Sequence, residues 1–144
     1  MMTPVFEAHV VPGVRQFLRA TEGIPCGLGT NAEPINVEYV LQGTGLRDRF
    51  LAVVDGLQVV NAKPSPDVYL KAAAAMEVNP ANCVVFEDSR GGSAAARAAG
   101  ARVVCVETTL KDEPGVDFAI ADFRDAGLPA WLATLSPRAG AATR

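Results

Sequence analysis

The sequence predicts the α/β class, a parallel sheet covered by helices on both faces in three layers, α/β/α. Two observations predict it. Short, continuous apolar runs rich in valine recur at 25–29, 51–55, 83–87, 102–106 and, more weakly, 118–122. Apolar residues without alternation are what strands buried on both faces require. Between these runs lie segments of helical spacing or composition, and strand–helix alternation builds a parallel sheet. With 144 residues, 49% hydrophobic and 20% charged, the chain suits one globular domain, expected over 1–135, with a small, polar, flexible tail at 136–144.

The elements follow in order. Val14, Phe17 and Leu18 obey the i, i+3, i+4 rule just after Pro12-Gly13, which marks a first helix. "PCGLG" at 25–29 is the first strand. Ile35, Val37, Val40 and Leu41 belong to a helix expected to open after Pro34 and stop at Gly43. "LAVVD" at 51–55 is the second strand. "SPDVYLKAAAAME" at 65–77 reads as a helix with Ser65 as N-cap, Pro66 at the first helical position and Asp67 in the first turn. Its four consecutive alanines favour helix. "CVVFE" at 83–87 is the third strand, and "GSAAARAAG" at 92–100 a small-residue helix that Gly100 can end. "RVVCV" at 102–106 and "FAIAD" at 118–122 complete the set.

The remaining bulk properties exclude several classes. No apolar stretch is long enough to span a bilayer. "MMTPVFEAHVV" has no basic region ahead of its apolar residues, so it does not read as a secretory signal. A net charge of −3 and a pI near 5.1 argue against a general nucleic-acid binder. Cys26, Cys83 and Cys105 sit in apolar runs without metal-ligand spacing, and read as buried, reduced thiols of a cytoplasmic protein.

Ligands of open α/β sheets bind beyond the carboxyl ends of the strands. Thr30-Asn31 follows the first run, Lys63-Pro64 comes after the second, and Glu87-Asp88-Ser89 ends the third. A phosphate needs donors and positive charge, which Thr30, Lys63 and backbone N–H groups around Asn31 could supply, with Asn31 placed at the start of the following helix. Magnesium needs hard oxygen ligands, which Asp88 with Glu87 could supply. Taken singly, each group has a plainer reading. Thr30 is a turn hydroxyl, Lys63 a solvated charge, and Glu87-Asp88 part of a helix cap. Gathered at one rim in this order, they suit phosphoryl chemistry, which rests on positioning and charge neutralisation.

From about residue 12 to residue 123 the chain resembles the haloacid dehalogenase-like hydrolases, in the branch of β-phosphoglucomutase and small-molecule phosphatases. "VPGVRQFLRA" resembles the helix before that family's second motif, and "LGTNAEP" the motif itself, with Thr30 in the phosphate-binding position. "NAKPSPDVYLKAA" resembles the third motif, with Lys63 as the lysine that steadies phosphate and nucleophile. "VVFEDSRGGSAAARAAGARVV" resembles the fourth, with Glu87 and Asp88 as the acidic magnesium ligands. The resemblance implies a Rossmann-like core, Mg2+ as cofactor and a small phosphorylated metabolite as substrate.

One motif of that family is missing. The first, an apolar strand ending in Asp-x-Asp, carries the nucleophile and the general acid and base. No Asp-x-Asp occurs in the 144 residues. Asp55 follows an apolar run, but Leu57 stands two residues on and cannot carry a proton. The resemblance therefore implies a core without its nucleophile strand and without the helical cap that usually follows it. In the family that strand lies between the ones ending at Thr30 and Glu87, so two inner edges are expected to stand unpaired. Residues 3–11, with Val5, Phe6, Val10 and Val11, are the upstream candidate to pair there, antiparallel or swapped between the subunits of a homodimer. Glu7 and His9 are the polar groups that segment carries.

Three functions fit to different degrees. One is a magnesium-dependent phosphatase or phosphomutase core, inactive as this polypeptide. Another is a non-catalytic remnant that binds phosphate or metal weakly, or oligomerises. A response-regulator-like phosphoacceptor also uses acidic residues, Thr and Lys at strand ends, but "KPSPD" and "FEDS" argue against it.

Overall fold

The computed structural model describes residues 11–135. Five parallel strands form in the expected places: β1 (Gly27–Gly29), β2 (Ala52–Val54), β3 (Val84–Glu87), β4 (Arg102–Val106) and β5 (Phe118–Ile120). They form two hydrogen-bonded groups, β1–β2 and β3–β4–β5, with every pairing parallel. Among the described residues β1 and β3 are not hydrogen-bonded to each other. The proposed pairing segment, with Glu7 and His9, lies outside the described residues except for Val11, which is buried.

Alternation along the strands feeds two cores. Leu28, Phe86, Val104, Val106 and Ile120 pack with α1 (Val14–Ala20), α2 (Pro34–Thr44) and α5 (Gly127–Ala133). Val54, Val85 and Val103 point the other way, onto α3 (Asp67–Ala75) and α4 (Arg90–Ala98). This is the three-layer arrangement the valine runs predict. Each such valine, buried on either face, contributes about 1.5–3 kcal/mol. Alanines 72, 73, 95, 96 and 99 make the second core thin, which lets α3 and α4 lie close to the sheet.

Helix boundaries differ from the sequence reading in three places. α2 runs through Gly43 and stops at Gly45, whose φ of 70° is the left-handed conformation that ends helices. α3 starts at Asp67 with Pro66 as its N-cap, and the Ser65 hydroxyl donates to the Asp67 carboxylate instead of capping. α4 starts two residues earlier than expected, because the Ser89 hydroxyl accepts from Gly92 N–H at 3.0 Å and caps it. Gly100, at φ 89°, ends α4 as expected: Ala101 N–H reaches Ala96 C=O at 3.1 Å. The three cysteines are free and buried. No helix among the described residues is long and apolar enough to cross a membrane.

Candidate functional site

Two of the predicted residues, Lys63 and Glu87, meet through one ammonium group. Lys63 Nζ donates to Glu87 Oε2 at 2.5 Å, at the end of β3, and to the Gly29 carbonyl at 3.2 Å, at the end of β1. The Lys63 side chain is 11% exposed and that of Glu87 3%. Removing both charges from water is costly, so the pair persists only because the other lone pairs are also met. They are. Glu87 Oε2 also accepts from the Tyr69 hydroxyl, and Oε1 accepts from Asp88 N–H at 3.2 Å and from the Ser89 hydroxyl at 3.3 Å. The ammonium further lies 5.0 Å from the centre of the Tyr69 ring, within cation–π range.

Local sequence explains the fit. Lys63 reaches the rim from the loop after β2, where the Lys63–Pro64 peptide is cis. The Asn31 carboxamide oxygen accepts from Lys63 N–H at 3.2 Å and ties that loop to the first one. Gly56 is required nearby, since a Cβ there would run into the Asn31 carbonyl. Gly92 is required in α4, since its Cβ would occupy the space of the Glu87 carboxylate. The second glycine of "SRGG" therefore exists so that a buried carboxylate can lie flat against a helix.

Thr30 stands one residue beyond β1, half-buried. Its Oγ1 accepts from Ala32 N–H at 3.1 Å, which leaves the hydroxyl proton to donate outward. Asn31 is exposed and sits three residues before α2, not at its start; the helix N-cap is Glu33, followed by Pro34, which has no N–H. Asn31 thus serves the rim through its side chain. Asp88 is half-buried, next to Glu87 at the same strand end. The Asp55 carboxylate accepts from Leu57 N–H at 2.9 Å and shapes a turn.

The donor set fits magnesium in one of its usual modes. Mg2+ keeps several waters and is held by one or two carboxylates together with substrate phosphate. No group of three His, Cys, Asp or Glu among the described residues could enclose a metal alone. Both Glu87 oxygens are engaged, by Lys63 and the Tyr69 hydroxyl on one side and by Asp88 N–H and the Ser89 hydroxyl on the other.

Sequence reading missed Tyr69 and Gly92. Tyr69 was detectable only as the one aromatic on an alanine-rich helix. Gly92 was visible as part of a Gly-Gly pair whose purpose needed the Glu87 geometry.

Comparison with known proteins identifies the family. The family model of haloacid dehalogenase-like hydrolases matches residues 4–100. The chain is 37% identical over 123 residues to protein CbbY of Rhodobacter capsulatus, covering 82% of this chain and 53% of that protein. It is 34% identical over 93 residues to β-phosphoglucomutase of Bacillus subtilis, covering 63% of this chain and 40% of that protein. The crystal structure of CbbY from Rhodobacter sphaeroides in complex with phosphate superposes with a TM-score of 0.75 at 29% identity, over 82% of this chain and 56% of that one. The chain spans about half the length of these relatives. With the family matched over more than half its residues, and the family's motifs gathered at one sheet rim, the chain belongs to the haloacid dehalogenase-like hydrolases.

Proposed function

We propose that this rim binds the phosphate group of a small phosphorylated metabolite together with Mg2+, as the core of a phosphatase or phosphomutase. The observation that carries the reading is the Lys63–Glu87–Tyr69 cluster. Two of the three ammonium protons are spent on Gly29 and Glu87, which fixes Lys63 at the rim and leaves one donor for an anion. Thr30 adds a hydroxyl donor. Asp88 is the carboxylate that would hold magnesium, with Glu87 acting mainly as the counter-charge that orients Lys63. When bound, the metal supplies charge neutralisation for the phosphoryl oxygens. Lys63 does the same from the protein side, and its fixed position spares reorganisation when charge develops.

The 144 residues include no Asp-x-Asp pair to provide an attacking carboxylate and a proton carrier. As this polypeptide, the site therefore binds without turning over. That observation favours the second reading, a phosphate- and metal-binding module, for the isolated chain. Calorimetry with Mg2+ and inorganic phosphate tests both. Heat at millimolar ligand that disappears in Lys63→Ala and Asp88→Asn, with negligible p-nitrophenyl phosphate hydrolysis, is the expected result. Absence of heat removes the binding proposal. Robust hydrolysis abolished by Asp88→Asn shows that another residue attacks.

A further inference from the structure

The loop over residues 55–66 joins β2 to α3 and carries the ammonium of the rim cluster. Lys63 stands at the corner of a tight turn in that loop, closed by Ser65 N–H donating to Ala62 C=O at 3.0 Å. A single carboxylate grips both flanks of the turn. Asp67, the first residue of α3, accepts through Oδ2 from the N–H and the Nδ2 of Asn61, at 3.2 Å each. Its Oδ1 accepts from the Ser65 hydroxyl at 3.0 Å. Asn61 and Ser65 lie two residues from Lys63, on opposite sides. Other bonds hold the rest of the loop. Gly56 N–H donates to Ala32 C=O at 2.9 Å, Lys71 Nζ to Gln58 C=O at 2.7 Å, and Lys63 N–H to the Asn31 carboxamide at 3.2 Å.

Lysine carries its charge on a flexible stem. The Lys63 ammonium nevertheless keeps partners on two strands, Glu87 on β3 and the Gly29 carbonyl on β1. A mobile backbone beneath it would not sustain both. We propose that Asp67 is a positioning residue for Lys63: its carboxylate clasps the turn from both flanks and so presets the ammonium for an anion. The effect on anion binding rests on the phosphate reading above; the clasp itself does not. Asp67 acts by joining the two flanks, not by its charge. Asparagine in its place can accept from Asn61 through its carbonyl oxygen and donate to the Ser65 oxygen through its amide, so the clasp outlasts loss of the charge. Alanine leaves both flanks untied. A preset group binds more tightly because less ordering remains to be done on binding.

Two readouts on the full chain separate the clasp from phosphate binding. The first is acetylation of Lys63 by acetic anhydride, read by peptide mass spectrometry against the exposed Lys111. In the parent, Lys63 is 11% exposed and paired with Glu87, so it reacts slowly. Asp67→Ala should raise the Lys63-to-Lys111 ratio at least about fivefold, and Asp67→Asn less than about twofold. The second readout is calorimetry with inorganic phosphate. Asp67→Ala should weaken binding at least about tenfold, while Asp67→Asn stays within about twofold of the parent. An Asp67→Ala protein whose Lys63 reacts like the parent's overturns the proposal, whatever its phosphate affinity. So does an Asp67→Asn protein that behaves like Asp67→Ala, which would assign the effect to charge. If the parent takes up no phosphate, the phosphate reading fails, and faster acetylation in Asp67→Ala still upholds the clasp. Should Asp67→Ala not fold, Ser65→Ala cuts one arm alone and must itself speed Lys63 acetylation; an unchanged rate overturns the proposal.

Discussion

Replacing Gly92 by alanine tests how closely the buried carboxylate depends on a missing side chain. On propensity alone, Gly→Ala inside a helix stabilises by about 1 kcal/mol. At position 92 the new methyl would overlap Glu87 Cδ and both its oxygens, and a buried carboxylate between β3 and α4 cannot swing far. Displacing it breaks the Lys63 pair and leaves two poorly compensated charges, which costs about 3–5 kcal/mol. The net effect is a loss of about 2–4 kcal/mol, a large share of the roughly 5–15 kcal/mol that holds a domain together. Gly91 is the internal control. A Cβ there meets nothing within 4 Å, so Gly91→Ala should show the propensity gain alone. Urea unfolding followed by circular dichroism measures both. With a slope of about 2 kcal/mol/M, Gly92→Ala lowers the midpoint by about 1–2 M, and Gly91→Ala raises it by about 0.5 M. A Gly92→Ala midpoint at or above the parent's, or two glycines that respond alike, refutes the steric account of the Glu87 site.

Other consequences follow from the same geometry. Tyr69→Phe removes one donor from the buried Glu87 carboxylate and should cost about 1.5–3 kcal/mol in the same unfolding assay; no change would mean that the hydroxyl contact is idle. Burial pushes the Cys26 thiol up, an effect that the Arg49 charge only partly opposes. Thiolate is therefore scarce at pH 8, and the native protein should label with a disulfide reagent at least about tenfold more slowly than the urea-unfolded chain. Hydrogen bonds from Arg124 hold the Asp122 carboxyl below the ordinary aspartate range. The stability this contributes is complete above about pH 4 and is lost as pH falls through the lowered value. Asp122→Asn should accordingly flatten the acid limb of the stability–pH curve and leave its slope above pH 5 unchanged.

The strands were legible because burial on both faces leaves a strong mark. Val84-Val85-Phe86 and Val103-Val104-Cys105 have nowhere to show a polar residue, so the runs are unbroken. Helix ends were less legible because they turn on local competition. Ser65 has the composition of a cap, yet its hydroxyl serves Asp67 instead, while Gly45 rather than Gly43 adopts the positive φ that stops α2. α5 went unread although Leu128, Trp131, Leu132 and Leu135 keep helical spacing, because Pro129 and the weak strand before it drew no helix signal. At the site, Lys63 and Glu87 were readable from their places after apolar runs. Their direct ion pair was not. Tyr69 was hidden for a related reason. A side chain reaching from α3 across the end of β1 to β3 is a tertiary fact that no spacing rule contains.

The most direct measurement is a crystal structure of the chain grown with Mg2+ and phosphate. Expected are a phosphate within hydrogen-bond distance of Thr30 Oγ1 and Lys63 Nζ, and a metal on the Asp88 carboxylate, while Glu87 keeps its bond to Lys63. An anion bound away from that rim, or a Lys63 ammonium turned from Glu87 into solvent, would contradict that arrangement.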